Sequence, residues 1–216
     1  MYKQYIYFSL TMTKKQKIET KDWTYLGEVK KGKPHGKGKR VWNSKIKSKP
    51  YAKYEGKFNE GKENGFGKLY IFQDEIPDYF EGNFKNGKFH GKGVYFTEFL
   101  NKKKYFEKHV GIWKNGKPIR GKIIEKNYVY DGEWKSDIGR DWGLPFKWGK
   151  GVITYSNGTK LIGTFYNDEF KIGNGVIDFG DSKYVGEIKT IDYNFKPHGK
   201  GKDKFQSGTI VEGISK

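Results

Sequence analysis

The sequence predicts an all-β chain: an elongated, single-layer, twisted antiparallel sheet of about seven to eight stacked β-hairpins. Three observations predict it. An aromatic, any residue and a glycine recur along the chain, with a bulky apolar residue two places after the glycine. Within each copy the apolar positions alternate with a period of two, which suits a half-buried strand and not a helix. A tight-turn signal and then a Gly-x-Gly follow most copies, so each copy reads as one hairpin of a stacked array.

Residues 1–22 are read as an N-terminal extension. Its run from Tyr5 to Met12 is too short for a membrane span of about 20 residues. It also lacks the small-residue cleavage site of a secretory signal. Two readings stay open for it, a capping strand or a disordered tail, as does the presence of residues 1–11 in the mature protein.

Residues 23–216 form the array. Its copies open at Tyr25 with Gly27, Tyr54 with Gly56, Phe80 with Gly82, His109 with Gly111, Tyr130 with Gly132, Leu161 with Gly163 and Tyr184 with Gly186. A partial copy opens at Val211. The bulky residue after the glycine is Val29, Phe58, Phe84, Trp113, Trp134, Phe165 and Ile188 in turn. Turns are marked by Glu60-Gly61, Asn86-Gly87, Asn115-Gly116 and Asn167-Asp168, residue types that tolerate the positive φ of a two-residue hairpin turn.

The return strand opens with Gly36 and Gly38, Gly65 and Gly67, Gly91 and Gly93, Gly149 and Gly151, Gly173 and Gly175, or Gly199 and Gly201. An aromatic follows in several copies, such as Trp42, Tyr155, Phe179 and Phe205. Glycine inside a strand signals close approach of a ring or backbone. These aromatics are expected to pack over the glycine gap of an adjacent strand. The fourth copy keeps one glycine, Gly121, and reads as having lost the second. His109 and Leu161 replace the opening aromatic, so those two hairpins are expected to pack less regularly.

The strings YEGKFNEGKENGFGKLY, FEGNFKNGKFHGKGVYF and YLGEVKKGKPHGKGKRVW resemble MORN repeats. The resemblance implies one hairpin per repeat in a single open sheet, and a role in protein or membrane association. Some relatives carry a catalytic domain after their repeats; few residues follow Gly213 here, so no enzyme is expected.

Insertions interrupt the array. The Gly-x-Gly begins nine positions after the opening glycine in the first three copies, but 17 positions after it from Gly132 to Gly149 and 13 from Gly186 to Gly199. Asn43–Lys53 and Thr97–Lys108 are also lengthened. These segments are expected to project from hairpin tips or edges. The fifth-copy insertion holds Trp142, Leu144, Phe146 and Trp148, which either cover part of the sheet or dock a partner.

The charge is +18, nearly all of it from lysine, with Arg40, Arg120 and Arg140 the only arginines. Lys37, Lys92, Lys150 and Lys200 lie between paired glycines, with Lys122 near the same place. Pointing away from the rings, they are expected to form a row spaced on the order of 10 Å, a candidate stripe for an anion or lipid headgroup. The competing reading pairs them across the sheet with Glu28, Glu81, Glu133 and Glu187.

Other chemistries find little support. The chain has no cysteine, which excludes disulfides and thiolate metal sites and suits a reducing compartment. His35, His90 and His198 repeat one position and cannot converge on one metal ion. The Gly-Lys-Gly strings precede no helix, so they are not phosphate loops. Scarce arginine and committed aromatics argue against nucleic acid. The expectation is a non-enzymatic scaffold with no cofactor, metal or small-molecule substrate. It would bind protein partners, or itself through sheet edges. The alternative is a peripheral membrane module binding anionic phospholipid. Location is expected to be cytoplasmic, with a membrane-peripheral variant.

Overall fold

The computed structural model describes residues 15–43, 51–72, 77–99, 105–136, 145–171, 173–191 and 194–215. Among these residues every regular element is a strand, and no helix is long and apolar enough to cross a membrane. The strands are β1 (Gln16–Glu19), β2 (Trp23–Lys30), β3 (Lys33–Trp42), β4 (Ala52–Asn59), β5 (Lys62–Ile71), β6 (Asp78–Lys85), β7 (Lys88–Phe99), β8 (Tyr105–Lys114) and β9 (Lys117–Ile124). They continue with β10 (Tyr128–Lys135), β11 (Phe146–Tyr155), β12 (Lys160–Tyr166), β13 (Glu169–Phe170), β14 (Gly173–Asp178), β15 (Ser182–Ile191), β16 (Asn194–Phe205) and β17 (Ile210–Ser215). Each pairs antiparallel with the next, and β13 and β14 share the place beside β12. The result is one open sheet of hairpins. β1 pairs with β2, so part of the N-terminal extension is a strand, while residues 1–14 lie outside the described residues.

The turns form as their residues dictate. Glu60-Gly61, Asn86-Gly87, Asn115-Gly116 and Asn167-Asp168 all have positive φ at both positions, and so does Lys31-Gly32. That is the backbone twist a two-residue hairpin turn needs.

The rings sit on one face. Tyr25, Phe58, Tyr54, Phe84, Phe80, Trp113 and Trp134 form an unbroken edge-to-face chain with centroids 4.8–5.4 Å apart. A second run passes through Tyr130, Phe165, Phe170 and Phe195 at 5.0–5.7 Å. This geometry suits the ring quadrupole.

The glycine gap is filled from within the hairpin, which corrects the sequence expectation. A Cβ added at Gly38 would meet the Tyr25 ring at 2.3–2.5 Å. Tyr54 covers Gly67, Phe80 covers Gly93, Tyr130 covers Gly151 and Tyr184 covers Gly201 in the same way. The covering ring is thus the opening aromatic. The aromatics after the Gly-x-Gly only flank this core, and Phe179 and Phe205 are 49% and 44% exposed. The covering tyrosines donate to a backbone carbonyl three residues on: Tyr25 to Glu28 at 2.6 Å, Tyr54 to Lys57 at 3.0 Å, Tyr130 to Glu133 at 2.8 Å and Tyr184 to Glu187 at 2.9 Å. Burial pushes these hydroxyls to higher pKa.

Where the opening ring is missing, a neighbour supplies one. Trp134 covers Gly111 and Gly121, in place of His109, and Phe170 covers Gly163 and Gly175, in place of Leu161. Those two hairpins do depart from the regular pattern, and register shows how. Gly121 pairs with Gly111 just as Gly38 pairs with Gly27, so the missing glycine of the fourth copy is the first, replaced by Ile119.

The first glycine of the pair does other work. Gly36, with φ +61°, lies in a bulge, because the register shifts between Gly27 and Val29. Bulges bend a strand. The bend carries each hairpin tip toward the ring face. Arg40 lies opposite Tyr54, about 20 Å from Gly61 along a straight strand, yet its guanidinium donates to the Gly61 carbonyl at 2.7 Å. Neighbouring tips are joined by backbone bonds from Gly61 to Pro34, Gly87 to Glu63 and Gly116 to Phe89, each 2.9 Å.

Candidate interaction surfaces

The ring face is filled, so the surfaces free to act are the opposite face, the hairpin tips and the ends of the sheet. Polar groups on the ring face are structural. Arg40 is 8% exposed, bonds Glu63 at 2.6 Å, and lies 4.6 Å from the Trp23 ring and 5.1 Å from that of Phe58. Lys147 bonds the Tyr128 hydroxyl at 2.9 Å and pairs with Asp168 at 3.3 Å. His109 is fully buried beside Glu107 at 3.2 Å. Among the described residues no three His, Asp or Glu side chains are grouped to hold a metal. The His90 ring accepts the Asn115 N–H at 3.4 Å, a contact at the turn, while His35 is engaged through its backbone carbonyl, which accepts from the Tyr25 hydroxyl.

The outward face carries one long cross-strand row, read from the register. It begins with Lys17 and the exposed Leu26, runs through alternating charges, Lys39, Glu55, Lys68 and Glu81, and turns apolar again at Val94 and Val110. Lys122 and Asp131 come next, followed by Val152, Ile162, Val176 and Val185, and then Lys202 and Glu212. The charged stretches neutralise themselves: Lys39–Glu55 is 3.4 Å, Lys68–Glu81 3.2 Å, Lys122–Asp131 3.9 Å and Lys202–Glu212 2.5 Å. Burial alone pushes the Glu55 carboxyl up, but Lys53 and Lys39 outweigh it and hold it below the usual range. The apolar stretches stay bare. Val110, Ile112, Ile162 and Val185 are 36–43% exposed, and Phe66 is 56% exposed. Phe66, Val94, Val110 and Ile112 edge a shallow apolar depression of about 480 Å³ over the glycines of β6, β7 and β8.

The lysines between paired glycines are exposed, as Lys37, Lys92, Lys150 and Lys200. None has a carboxylate within ion-pair distance among the described residues. Their expected partners are engaged otherwise. Glu28 accepts the Lys37 backbone N–H at 3.1 Å, and the carboxylates of Glu28, Glu133 and Glu187 press against Gly36, Gly149 and Gly199. Glu81 pairs with Lys68. Lys122 does not share their row: it lies opposite Asp131, and Arg120 takes the matching place opposite Glu133.

Phe146 and Trp148 are not loop residues but lie in β11, facing outward, with Trp148 4.3 Å from Tyr166 and the Lys135 ammonium 3.4 Å from its ring. Trp142 and Leu144 lie outside the described residues.

Sequence reasoning missed the basic tips. Lys30 lies directly opposite Lys33, Lys85 opposite Lys88, Lys114 opposite Lys117 and Lys189 opposite Lys196. All eight are exposed. Like charges directly opposite each other destabilise a sheet by about 0.2–1 kcal/mol. The first three pairs sit at tips bonded to neighbouring tips and so line one edge, whereas Lys189 and Lys196 lie further back, with Thr190–Phe195 and Ile191–Asn194 beyond them. For the first three pairs the recurring string Lys-x-Gly-Lys held the signal, since the two lysines face each other across a two-residue turn.

Comparison with known proteins agrees with this geometry. The family model described as the MORN repeat matches residues 25–45, 54–71, 80–97 and 146–160, which fall on the first three hairpins and on β11. Among curated proteins, rat, mouse and human Alsin are each 30% identical to the chain over 161 residues. The match covers 73% of the chain but 9% of each Alsin.

Proposed function

The chain belongs to the MORN-repeat family, and from that premise we propose that it is a non-enzymatic, cytoplasmic scaffold that binds protein through its outward sheet face. MORN repeats are interaction or membrane-association modules. The observation that carries the scaffold reading is the row of bare apolar side chains, Val110, Ile162 and Val185, with Ile112 beside it on β8, between self-neutralised charged stretches. Exposed apolar patches rimmed by polar residues mark interaction sites. Cross-linking coupled to mass spectrometry in the native source tests it. Cross-links to a protein should cluster on outward lysines such as Lys92, Lys122 and Lys150 and vanish with Val110→Lys. Cross-links spread evenly over all faces would refute it.

A second reading is favoured by the lysine pairs at the tips, a like-charge arrangement that costs stability and supports binding of an anionic membrane. Each basic residue near such a surface contributes about 1 kcal/mol. Flotation with vesicles of phosphatidylcholine, alone or with acidic lipid, separates the cases. Under this reading flotation needs acidic lipid, weakens with salt, and drops when Lys85, Lys88, Lys114 and Lys117 become serine. Equal binding to neutral vesicles would end it.

A further inference from the structure

We propose that the outward face binds a second copy of this chain, related by a two-fold axis that runs parallel to the strands between β9 and β10. This rests on the scaffold reading and names its partner. The two central strands differ in charge on that face: β9 presents Arg120, Lys122 and Ile124, and β10 presents Glu133, Asp131 and Val129 in matching register. A two-fold interface brings residue i of one copy to residue j of the other, and j to i. About this axis, β9 of one copy lies over β10 of the other. Each Lys122 then meets an Asp131, each Arg120 a Glu133 and each Ile124 a Val129.

The match extends two strands outward on each side of the central pair. Val110 faces Val152 and Val94 faces Ile162, which buries side chains that are half-exposed in the single chain. Further out Glu81 comes opposite Val176 and Lys68 opposite Val185, so the match ends there and the contact is central. The alternative two-fold axis, along the row itself, sets every residue against its own copy, Lys122 on Lys122 and Lys39 on Lys39. Like-charge juxtaposition disfavours that arrangement.

Twisted sheets packed face to face sit about 10 Å apart at roughly 30° to each other, so contact is confined to the centre. Six strands at about 4.8 Å, each contributing about five residues at about 3.3 Å, give roughly 900 Å² over both copies. That is below the roughly 1,200 Å² of a standard interface, so the dimer is weak and reversible.

Sedimentation velocity over a range of micromolar concentrations tests this on three proteins: the wild-type chain, Lys122→Glu and Asp131→Lys. The wild type should shift toward dimer as concentration rises. Each variant, now acidic or basic at both central positions, should associate at least about tenfold more weakly. An equimolar mixture should regain dimer, because the two acidic positions of one variant then face the two basic positions of the other. The Lys122–Asp131 pair within the chain is half-exposed and 3.9 Å long, so neither change threatens folding. Val110→Lys, on a different strand, should abolish the dimer as well. A wild type that stays monomeric overturns the inference and leaves the scaffold reading standing. Single variants that associate like the wild type, or a mixture no better than its parts, would also overturn it.

Discussion

Gly56→Ala and Gly213→Ala change the same motif position, yet the structure separates them sharply. A Cβ at Gly56 would lie 2.5 Å from the Gly67 Cα and 2.5 Å from the Tyr54 hydroxyl. The first contact is backbone, so relief requires the two strands to part. The second displaces the ring that fills the gap and strains its 3.0 Å bond to the Lys57 carbonyl. Overpacking of this kind costs about 1–3 kcal/mol, and loss of the hydroxyl bond adds about 0.5–1.5 kcal/mol. The expected destabilisation is therefore about 2–4 kcal/mol. At Gly213 nothing lies within 4 Å of the added carbon, and its backbone is not in the left-handed region. There the change should be neutral, or stabilising by about 0.4–1 kcal/mol through a less flexible unfolded chain. Urea unfolding followed by circular dichroism measures both. Equal destabilisation by the two substitutions would refute the account of rings bedded in glycine gaps.

Other expectations follow from the same geometry. Glu63→Leu strands the buried Arg40 guanidinium and should cost about 3–5 kcal/mol, whereas Arg40→Leu with Glu63→Leu should recover most of it; urea midpoints decide. Lys88→Glu gives Lys85 an opposite charge across the turn and should stabilise by about 0.2–1 kcal/mol at low salt, with the gain shrinking as salt rises. Burial raises the Tyr54, Tyr95 and Tyr130 hydroxyls above their ordinary pKa. Folded pKa values above the unfolded value of about 10 leave stability whole below that pH and erode it as pH rises beyond it. Unfolding midpoints should therefore fall on the alkaline side together with a rise in tyrosinate absorbance.

Much of this fold was legible because strands and two-residue turns carry short-range signals. The period of two placed Tyr25, Gly27 and the Asn-Gly turns on the correct elements without tertiary information. What escaped depends on register and on the bend. Ten residues separate Gly111 from Gly121 whichever glycine is lost, so only pairing shows that Ile119 replaced the first. The same ambiguity set Lys122 beside Lys37 and hid the match of Arg120. The Arg40–Glu63 pair was invisible because a straight strand keeps those residues apart, and only the bulge at Gly36 and its equivalents folds the tips over. Substitution of Trp134 and Phe170 for missing rings likewise needs three-dimensional neighbours. For the interaction surfaces, alternation identified outward residues, but the order along the row came from pairing. The tip lysines could have been read directly across the turns.

The central claim is that the hairpins make one extended ribbon. Sixteen strand positions at about 4.8 Å give a length of roughly 75 Å, which corresponds to a radius of gyration of about 25 Å. A compact globule of 216 residues would have a radius of about 17 Å. Small-angle X-ray scattering, extrapolated to zero concentration so that single chains are observed, tells these apart. A value near 25 Å is the outcome predicted here, and a value near 17 Å would contradict it.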